Sequence, residues 1–193
     1  FQDVDLVWMH DPTPWLESLP NDVAFMDDGA RTPRYTPFFS NSGFYYIKHT
    51  TKTQHFLESF MKAAASEIGY THSHQSVLIR YLFETHKLFG LDVLLLNMED
   101  FPSGIMYHHN KKYMAKIRAR TFTPFVFHMC WTANREDKVK FLKELGLWYL
   151  NPVNTCNEGR LMRTRAKSVT QGCCLTVDQP FPPREHLTSA VNS

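Results

Sequence analysis

The sequence predicts an α/β domain, and three observations lead to this prediction. Short apolar, strand-like segments alternate along the chain with longer segments whose apolar residues recur at helical spacing. Of the 193 residues, 43% are hydrophobic and 14% aromatic, a composition typical of a folded chain with a substantial core. Both patterns fade near residue 150. We therefore predict one domain over residues 1–150 and an irregular C-terminal tail over residues 151–193.

The first half of the domain is predicted to hold three strands and two helices. The first strand lies near residues 6–8 and ends before two prolines, which cannot sit in a central ladder. A short strand over residues 23–26 is followed by a turn, and a longer strand runs to residue 47, with Asn41-Ser42-Gly43 as a turn. Apolar residues at helical spacing predict helices over residues 53–68, with Gly69 as the stop, and over residues 74–88.

The second half is predicted to hold three more strand-like segments and one helix. The strand-like segments are residues 93–96, 105–108 and 125–130. The last helix is the clearest, because Asn134 can cap its start, two acidic residues follow in the first turn, and Gly146 ends it.

The tail contains several prolines, a basic run over residues 160–167 and three cysteines. The basic run suits phosphate binding, although a solvated charge cluster is the commoner meaning of such a stretch. Either Cys173 or Cys174 could form a disulfide with Cys156, and buried free thiols explain the same residues equally well. No Cys-x-x-Cys pair occurs, so the cysteines do not predict a zinc site.

Charge and hydropathy limit the possible partners. A net charge of +2 gives no electrostatic reason to expect a nucleic-acid partner or an anionic membrane. The apolar runs are far shorter than the ~20 residues that span a bilayer, so the sequence predicts no membrane span within this chain. The chain opens with Phe1, directly on a candidate site, and we expect it to be a piece of a longer protein.

That candidate site is the pair Asp3 and Asp5. In an extended strand, residues i and i+2 share a face, so the two carboxylates could bind one hard cation. A bare Asp-x-Asp tripeptide more often lies in a turn or on a solvated strand face. The apolar segment that follows, residues 6–8, shifts the balance toward a metal site.

Four motifs in order resemble the nucleotide-diphospho-sugar transferase domain of plant and algal glycosyltransferases. They are Asp-Val-Asp-Leu-Val-Trp-Met-His-Asp-Pro at 3–12, Asn-Ser-Gly-Phe-Tyr-Tyr at 41–46, Phe-Pro-Ser-Gly at 101–104 and His-Met-Cys-Trp at 128–131. The resemblance covers residues 1 to about 150. It implies a GT-A fold, with a mixed central sheet flanked by helices. It also implies that the nucleotide-binding strands preceding the Asp-x-Asp motif are not in this chain.

The resemblance assigns a metal site to Asp3, Asp5 and His128. Asp5 would be the direct ligand, and Asp3 would be shared between the ion and the ribose of the donor. Oxygen ligands with one imidazole suit Mn²⁺, whereas Mg²⁺ prefers oxygen alone. Lys138 would approach the donor phosphates, although a solvent-facing lysine is an equally good explanation of this residue.

Further roles come from the same resemblance. Asn41 and Gln75 would act at the reacting centre, while Ser42, Gly43 and His74 would contact the sugar or the acceptor. Trp131 would stack on a sugar ring, and core packing is the commoner role of such aromatics. The sequence departs from its relatives at two positions, because His74 stands where they commonly carry Asp and Cys130 where they usually carry Asn.

The resemblance therefore implies a retaining glycosyltransferase that moves a sugar from a nucleoside diphosphate to a glycan or glycoprotein acceptor in the Golgi lumen. It also implies that any link to a membrane is made through an anchor outside this chain. We expect these 193 residues alone to be catalytically silent. Two alternatives remain at this point. One is a haloacid-dehalogenase-like phosphohydrolase with Asp3 as nucleophile. The other is a non-catalytic carbohydrate-binding fragment.

Overall fold

A computed structural model describes residues 1–149, in which two small sheets pack among helices. The strands in this part are β1 Leu6–Trp8, β2 Val23–Asp27, β3 Ser40–Ile47, β4 Val93–Leu96 and β5 Val126–His128. The α-helices are α1 Thr13–Ser18, α2 Thr51–Thr71, α3 His74–Phe89, α4 Gly104–His109, α5 Lys111–Arg118 and α6 Arg135–Glu144. A short 3₁₀ helix, Pro33–Tyr35, precedes β3.

The larger sheet has the strand order β3-β2-β4. Its central strand β2 pairs antiparallel with β3 and parallel with β4, so the sheet is mixed. The chain reaches β4 from β3 through α2 and α3, which carry it from one edge of the sheet to the other. The parallel strands β2 and β4 are thus joined by a long crossover, as parallel neighbours require. The smaller sheet pairs β1 antiparallel with β5, with Leu6 opposite His128. This pairing brings the start of the chain against the segment that ends in His128.

Each face of β2 packs into a different part of the core, because successive side chains of a strand point to opposite faces. Val23 and Phe25 pack toward Phe56 of α2 and Leu82 of α3. Ala24 and Met26 face a second cluster that contains residues of α1, β4 and β5. A third cluster lies among β5 and the helices α4, α5 and α6. All four of these β2 side chains are almost fully buried.

A break in register interrupts the pairing of β2 with β3. Phe25 lies opposite Tyr45, but the next residue, Met26, lies opposite Asn41. Residues 42–44 thus bulge away from β2 and pair with the start of the chain, where the backbone N–H of Asp3 donates to the carbonyl of Gly43 at 2.7 Å. The predicted turn at Asn41-Ser42-Gly43 is wrong, because the strand continues through it. The Asn41 side chain accepts from the Gly43 N–H at 2.8 Å, which is the local bond of a turn, so the pattern was misleading.

The two predicted helices of the first half are present, one of them with different bounds. Helix α2 runs past the predicted stop at Gly69 and ends at Thr71, where His72 takes a left-handed conformation (φ 51°). Its start carries a reciprocal cap between Thr50 and Thr53. Helix α3 is confirmed within one residue, and Gly90 follows it with φ 64°.

In the second half, the predicted strand at residues 105–108 is wrong, because these residues lie in helix α4. The run is short enough to suit either structure, and burial of Met106 and Tyr107 against α5 and α6 favours the helix. Helices α1 and α5 were not predicted. Strands β4 and β5 and helix α6 are confirmed, and the Asn134 side chain caps α6 by accepting from the Asp137 N–H.

Several predictions lie outside the described residues: the irregular tail over 151–193, its basic run and the pairing of Cys156 with Cys173 or Cys174. Within residues 1–149, none of the helices is both long and apolar enough to cross a membrane.

Candidate functional site

An open cleft of about 840 Å³ lies where the two sheets meet the start of α6. Nine of the residues singled out from the sequence line this cleft. They are Asp3, Asp5, Asn41, Ser42, Gly43, His74, Gln75, His128 and Lys138. The fold therefore gathers side chains from both ends of the described chain into one place.

At the base of the cleft, Asp3, Asp5 and His128 converge. Each offers one potential ligand atom, and these three atoms lie within 4.8 Å of one another. His128 Nε2 lies 3.3 Å from Asp5 Oδ1 and 4.0 Å from Asp3 Oδ2. Ligands at about 2.1 Å from one divalent ion are separated by about 3–4 Å, so the spacing suits a shared cation.

The route by which the two carboxylates converge differs from the prediction. Residues 4–5 form a turn just before β1, so Asp3 and Asp5 do not share the face of an extended strand. Val4 projects fully into solvent between them. The turn folds both carboxylates toward His128, which ends β5 and is held by a bond from its backbone N–H to the carbonyl of Pro102.

Burial separates the roles of the three residues. The side chain of His128 is 4% exposed and that of Asp5 14%, whereas that of Asp3 is 43% exposed. Asp5 and His128 therefore form the fixed part of the cluster. Asp3 can reach a ligand in the open cleft.

The charges of Asp5 and His128 stabilise each other. Burial alone would raise the pKa of Asp5, but hydrogen bonds from His128 and from Lys138 outweigh it and hold the pKa well below its usual range. Burial alone would lower the pKa of His128, but its interactions with Asp5 and Cys130 raise that pKa to about 10. Asp5 is therefore ionised throughout the neutral range, and a cation that takes His128 Nε2 as a ligand must displace the proton that this nitrogen donates to Asp5.

Gly43 leaves room for the cluster. A Cβ atom at this position would lie 2.2 Å from His128 Cε1 and 2.9 Å from Asp3 Oδ2, so only glycine fits here. The donor set and this close approach both fit a divalent cation held by Asp3, Asp5 and His128.

The floor of the cleft is a hydrogen-bonded group of polar side chains. Ser42 Oγ lies 2.7 Å from His74 Nε2, and both the hydroxyl and the backbone N–H of Ser42 donate to Gln75 Oε1, at 3.2 and 3.3 Å. Asn41 and Gln75 each donate through their amide nitrogens to Oδ1 of Asp28, at 2.9 and 3.1 Å. Asp28 was not singled out from the sequence, because Asp27-Asp28-Gly29 has the pattern of an ordinary turn.

The wall of the cleft is the first turn of α6. Lys138 contacts Asp5 Oδ2 through its ammonium group, and Arg135 lines the cleft one turn earlier. The positive end of the helix dipole points the same way. Sequence reasoning missed Arg135, although a basic residue at a capped helix start is the signal that could have found it.

Two residues of the last motif lie at the edge of this site. Cys130 lines the cleft, and its sulfur lies 3.9 Å from the amide nitrogen of Asn41. Trp131 lies beside the cleft rather than in its lining. Its indole N–H donates to the backbone carbonyl of Asp28 at 3.1 Å, its backbone is left-handed (φ 60°) and 46% of its surface is exposed. The ring is therefore fixed at one edge and free to make contacts along the rest.

Residues 1–142 match the nucleotide-diphospho-sugar transferase family. The chain belongs to this family. No curated protein and no solved structure matches it. The mixed sheet flanked by helices agrees with the GT-A-like fold predicted for a nucleotide-diphospho-sugar transferase.

Membership in the nucleotide-diphospho-sugar transferase family indicates glycosyltransferase activity with a nucleotide-sugar donor and an acceptor. It gives no support to the alternative of a phosphohydrolase that uses Asp3 as nucleophile. Among the described residues, the ion pair of Lys138 is with Asp5 and not with Asp3.

Proposed function

We propose that this chain carries the catalytic site of a metal-dependent, retaining glycosyltransferase. It would move a sugar from a nucleoside diphosphate to a glycan or glycoprotein acceptor. The observation that carries the proposal is the convergence of Asp3, Asp5 and His128 in one cleft with Lys138 beside them. Family membership supplies the reaction class.

The metal end of the cleft would hold the donor diphosphate. Asp5 and His128 are the buried ligands, and the more exposed Asp3 is placed to be shared with the donor ribose. The mixed oxygen and nitrogen donors favour Mn²⁺ over Mg²⁺. When bound, this ion would neutralise the negative charge that develops on the departing diphosphate.

The wall formed by α6 would bind the same phosphates from the other side. Lys138 can exchange its contact with Asp5 for one with a phosphate oxygen, and Arg135 adds a second cation. A diphosphate lying along the first turn of α6 would also gain from the positive end of the helix.

The polar floor would hold the sugar. Gln75, Asn41, Ser42 and His74 offer amide, hydroxyl and imidazole groups to sugar hydroxyls, and Gly43 allows close approach. Trp131 presents an exposed aromatic face at the rim, where a ring of the donor or the acceptor could stack.

Retention of configuration is favoured by the acid–base groups present. Inversion needs a base that takes the proton of the acceptor hydroxyl. Among the described residues of the cleft, the carboxylates are those of Asp3 and Asp5, and the proposal commits both to the ion. The remaining imidazole outside the cluster, His74, is engaged with Ser42.

The first test separates a metal site from a solvated acidic pair. Titration of the protein with Mn²⁺ should show one site, and Asp5→Ala should weaken it by roughly a hundredfold or more, with Asp3→Ala costing less because Asp3 is more exposed. Glu58→Ala removes an exposed carboxylate on α2 and serves as the control. Binding of Mn²⁺ by Asp5→Ala as tight as that of the unaltered protein would exclude the proposed site.

The second test concerns the reaction. Because these 193 residues alone are expected to be silent, the parent protein is used: its incubation with a panel of nucleotide sugars and Mn²⁺ should release nucleoside diphosphate. NMR of the glycosylated product should show the anomeric configuration of the donor. Inverted product would refute retention alone. Sugar binding without any release of nucleoside diphosphate would favour the non-catalytic carbohydrate-binding alternative.

The proposed location is the Golgi lumen, with any membrane link supplied by an anchor outside these residues. This part rests on the family resemblance of the sequence. Fractionation of cells that express the parent protein with a C-terminal tag would test it, and recovery in a cytosolic fraction would contradict it.

A further inference from the structure

Asp28 is a buried carboxylate just beyond the end of β2. It is 4% exposed, and its backbone N–H donates to the carbonyl of Phe39 at 2.9 Å. The nearby cation Arg31 forms a two-pronged pair with Asp27 instead. Within the described residues, no ion pair to Asp28 is formed. Burial of a carboxylate without a counterion costs free energy, so the hydrogen bonds that Asp28 accepts must offset that cost.

Those hydrogen bonds come from two side-chain amides on different elements. Asn41 on β3 and Gln75 on α3 both donate to the same oxygen, Oδ1, at 2.9 and 3.1 Å. The second oxygen, Oδ2, is buried and has no hydrogen-bond partner among the described residues. One carboxylate oxygen thus joins the strand and the helix that form the floor of the cleft.

This contact fixes which way each amide points. A side-chain amide that turned over would place its carbonyl oxygen against the carboxylate, where the two acceptors repel. With their nitrogens held by Asp28, Asn41 directs its oxygen to the Gly43 N–H at 2.8 Å, and Gln75 directs its oxygen to Ser42. Ser42 Oγ in turn lies 2.7 Å from His74 Nε2.

We propose that Asp28 is a positioning residue for sugar transfer, which sets the orientation of Asn41 and Gln75 and through them the placement of Ser42 and His74. The inference rests on the proposed function, since it adds to that site the residue that orders its floor. Asp28 itself does not line the cleft, so it acts through the two amides.

Two substitutions separate the hydrogen bonds of Asp28 from its charge. Asp28→Asn keeps one acceptor oxygen, which can still receive both amides, so the floor should keep its order. Asp28→Val has a similar shape but no acceptor, so both amide nitrogens lose their partner. The side-chain NH₂ signals of Asn41 and Gln75 in ¹⁵N NMR report this directly. Their exchange with solvent should be slow in the unaltered protein and in Asp28→Asn, and at least tenfold faster in Asp28→Val.

The functional readout is nucleotide-sugar turnover by the parent protein, measured together with its Mn²⁺ affinity. For Asp28→Val we expect kcat to fall roughly 10–100-fold, while Mn²⁺ affinity changes less than about threefold, because Asp28 contacts none of Asp3, Asp5 and His128. Asp28→Asn should keep kcat within about threefold. If Asp28→Val does not fold, Gln75→Ala provides the comparison. Adding Asp28→Asn to Gln75→Ala should then cost no further activity.

The outcomes are distinct from those of the proposed function. Slow amide exchange that persists in Asp28→Val would overturn the positioning role, whether or not the protein transfers sugar. Fast exchange with unchanged kcat would show an ordered floor that transfer does not need, and would also overturn it. Absence of all turnover in the unaltered parent protein would refute the proposed function and with it the link between Asp28 and transfer.

Discussion

Lys138 and His128 contact the same carboxylate, that of Asp5, each at a different oxygen. The ammonium group of Lys138 meets Oδ2, and the imidazole of His128 lies 3.3 Å from Oδ1. In the proposed site, Lys138 would thus compete with a metal ion for Asp5 and would bind a donor phosphate once the ion is bound. The two roles can be separated by substitution.

Lys138→Met should strengthen binding of Mn²⁺ alone, because a competing cation is removed from Asp5. It should weaken binding of a nucleoside diphosphate in the presence of Mn²⁺ by about tenfold, which corresponds to about 1.4 kcal/mol, since a phosphate loses a charge-assisted hydrogen bond. Calorimetric titration measures both. Lys140→Met, at an exposed position of the same helix, is the control. Weaker Mn²⁺ binding by Lys138→Met would contradict this account of the pair.

Gly43→Ala should distort the metal site. The added methyl group would lie 2.2 Å from His128 Cε1, so the imidazole or the strand must move. We expect a loss of about 1–3 kcal/mol in stability from overpacking and a roughly tenfold weaker Mn²⁺ site. Thermal unfolding and Mn²⁺ titration are the measurements.

The matched control is Gly69→Ala. A Cβ atom at Gly69 meets no atom within 4 Å, and the residue lies inside α2. This substitution should raise stability by about 0.5–1 kcal/mol, because alanine favours the helix, and should leave Mn²⁺ affinity unchanged. Equal effects of the two alanine substitutions on Mn²⁺ affinity would show that the space at Gly43 is not specific to the cluster.

Tyr107→Phe should remove a pH-dependent contribution to stability. Burial and the hydrogen bond to the Glu144 carboxylate raise the pKa of Tyr107 to about 12 from an ordinary value of 10.0. Because the folded protein holds this proton more tightly, the contribution is complete below about pH 10 and is lost as the pH rises toward 12. Between these two pH values, the free energy of unfolding measured with denaturant should fall less steeply for Tyr107→Phe than for the unaltered protein. At neutral pH the substitution should cost about 1 kcal/mol.

Asn134→Ala should destabilise α6 by about 1 kcal/mol, because the Asn134 side chain accepts from the Asp137 N–H at the start of the helix. Asn134→Asp keeps an acceptor and should keep the stability. Since α6 carries Lys138 and Arg135, the alanine variant should also weaken diphosphate binding. A melting temperature of Asn134→Ala equal to that of Asn134→Asp would rule out the cap as a source of stability.

The convergence of Asp3, Asp5 and His128 was predictable from sequence because these residues stand in recognisable motifs, although its geometry was not. Asp3 and Asp5 were expected on one strand face, and a turn brings them together instead. Asp5 and His128 lie close together because β1 pairs with β5. Such long-range pairing follows from the packing of the whole domain, and no local pattern contains it.

Local preference also failed where tertiary contacts decide. Residues 105–108 have four side chains that suit a strand or a helix, and burial of Met106 and Tyr107 against the neighbouring helices selects the helix. Asp28 stayed hidden for a related reason. Its two amide partners lie on β3 and α3, and only the folded chain shows that the three side chains share one oxygen.

The register break in β3 has a consequence for how this site can change over evolution. Residues 42–44 take no part in the ladder with β2. Gly43 and Phe44 pair with the chain start instead, and the Ser42 N–H donates to Gln75 Oε1. A new side chain at position 42 would therefore alter what the floor of the cleft recognises and leave the hydrogen bonds of the sheet intact. Under the proposed function, donor preference and sheet stability would be set by separate residues, so a substitution at position 42 would change the first and keep the second.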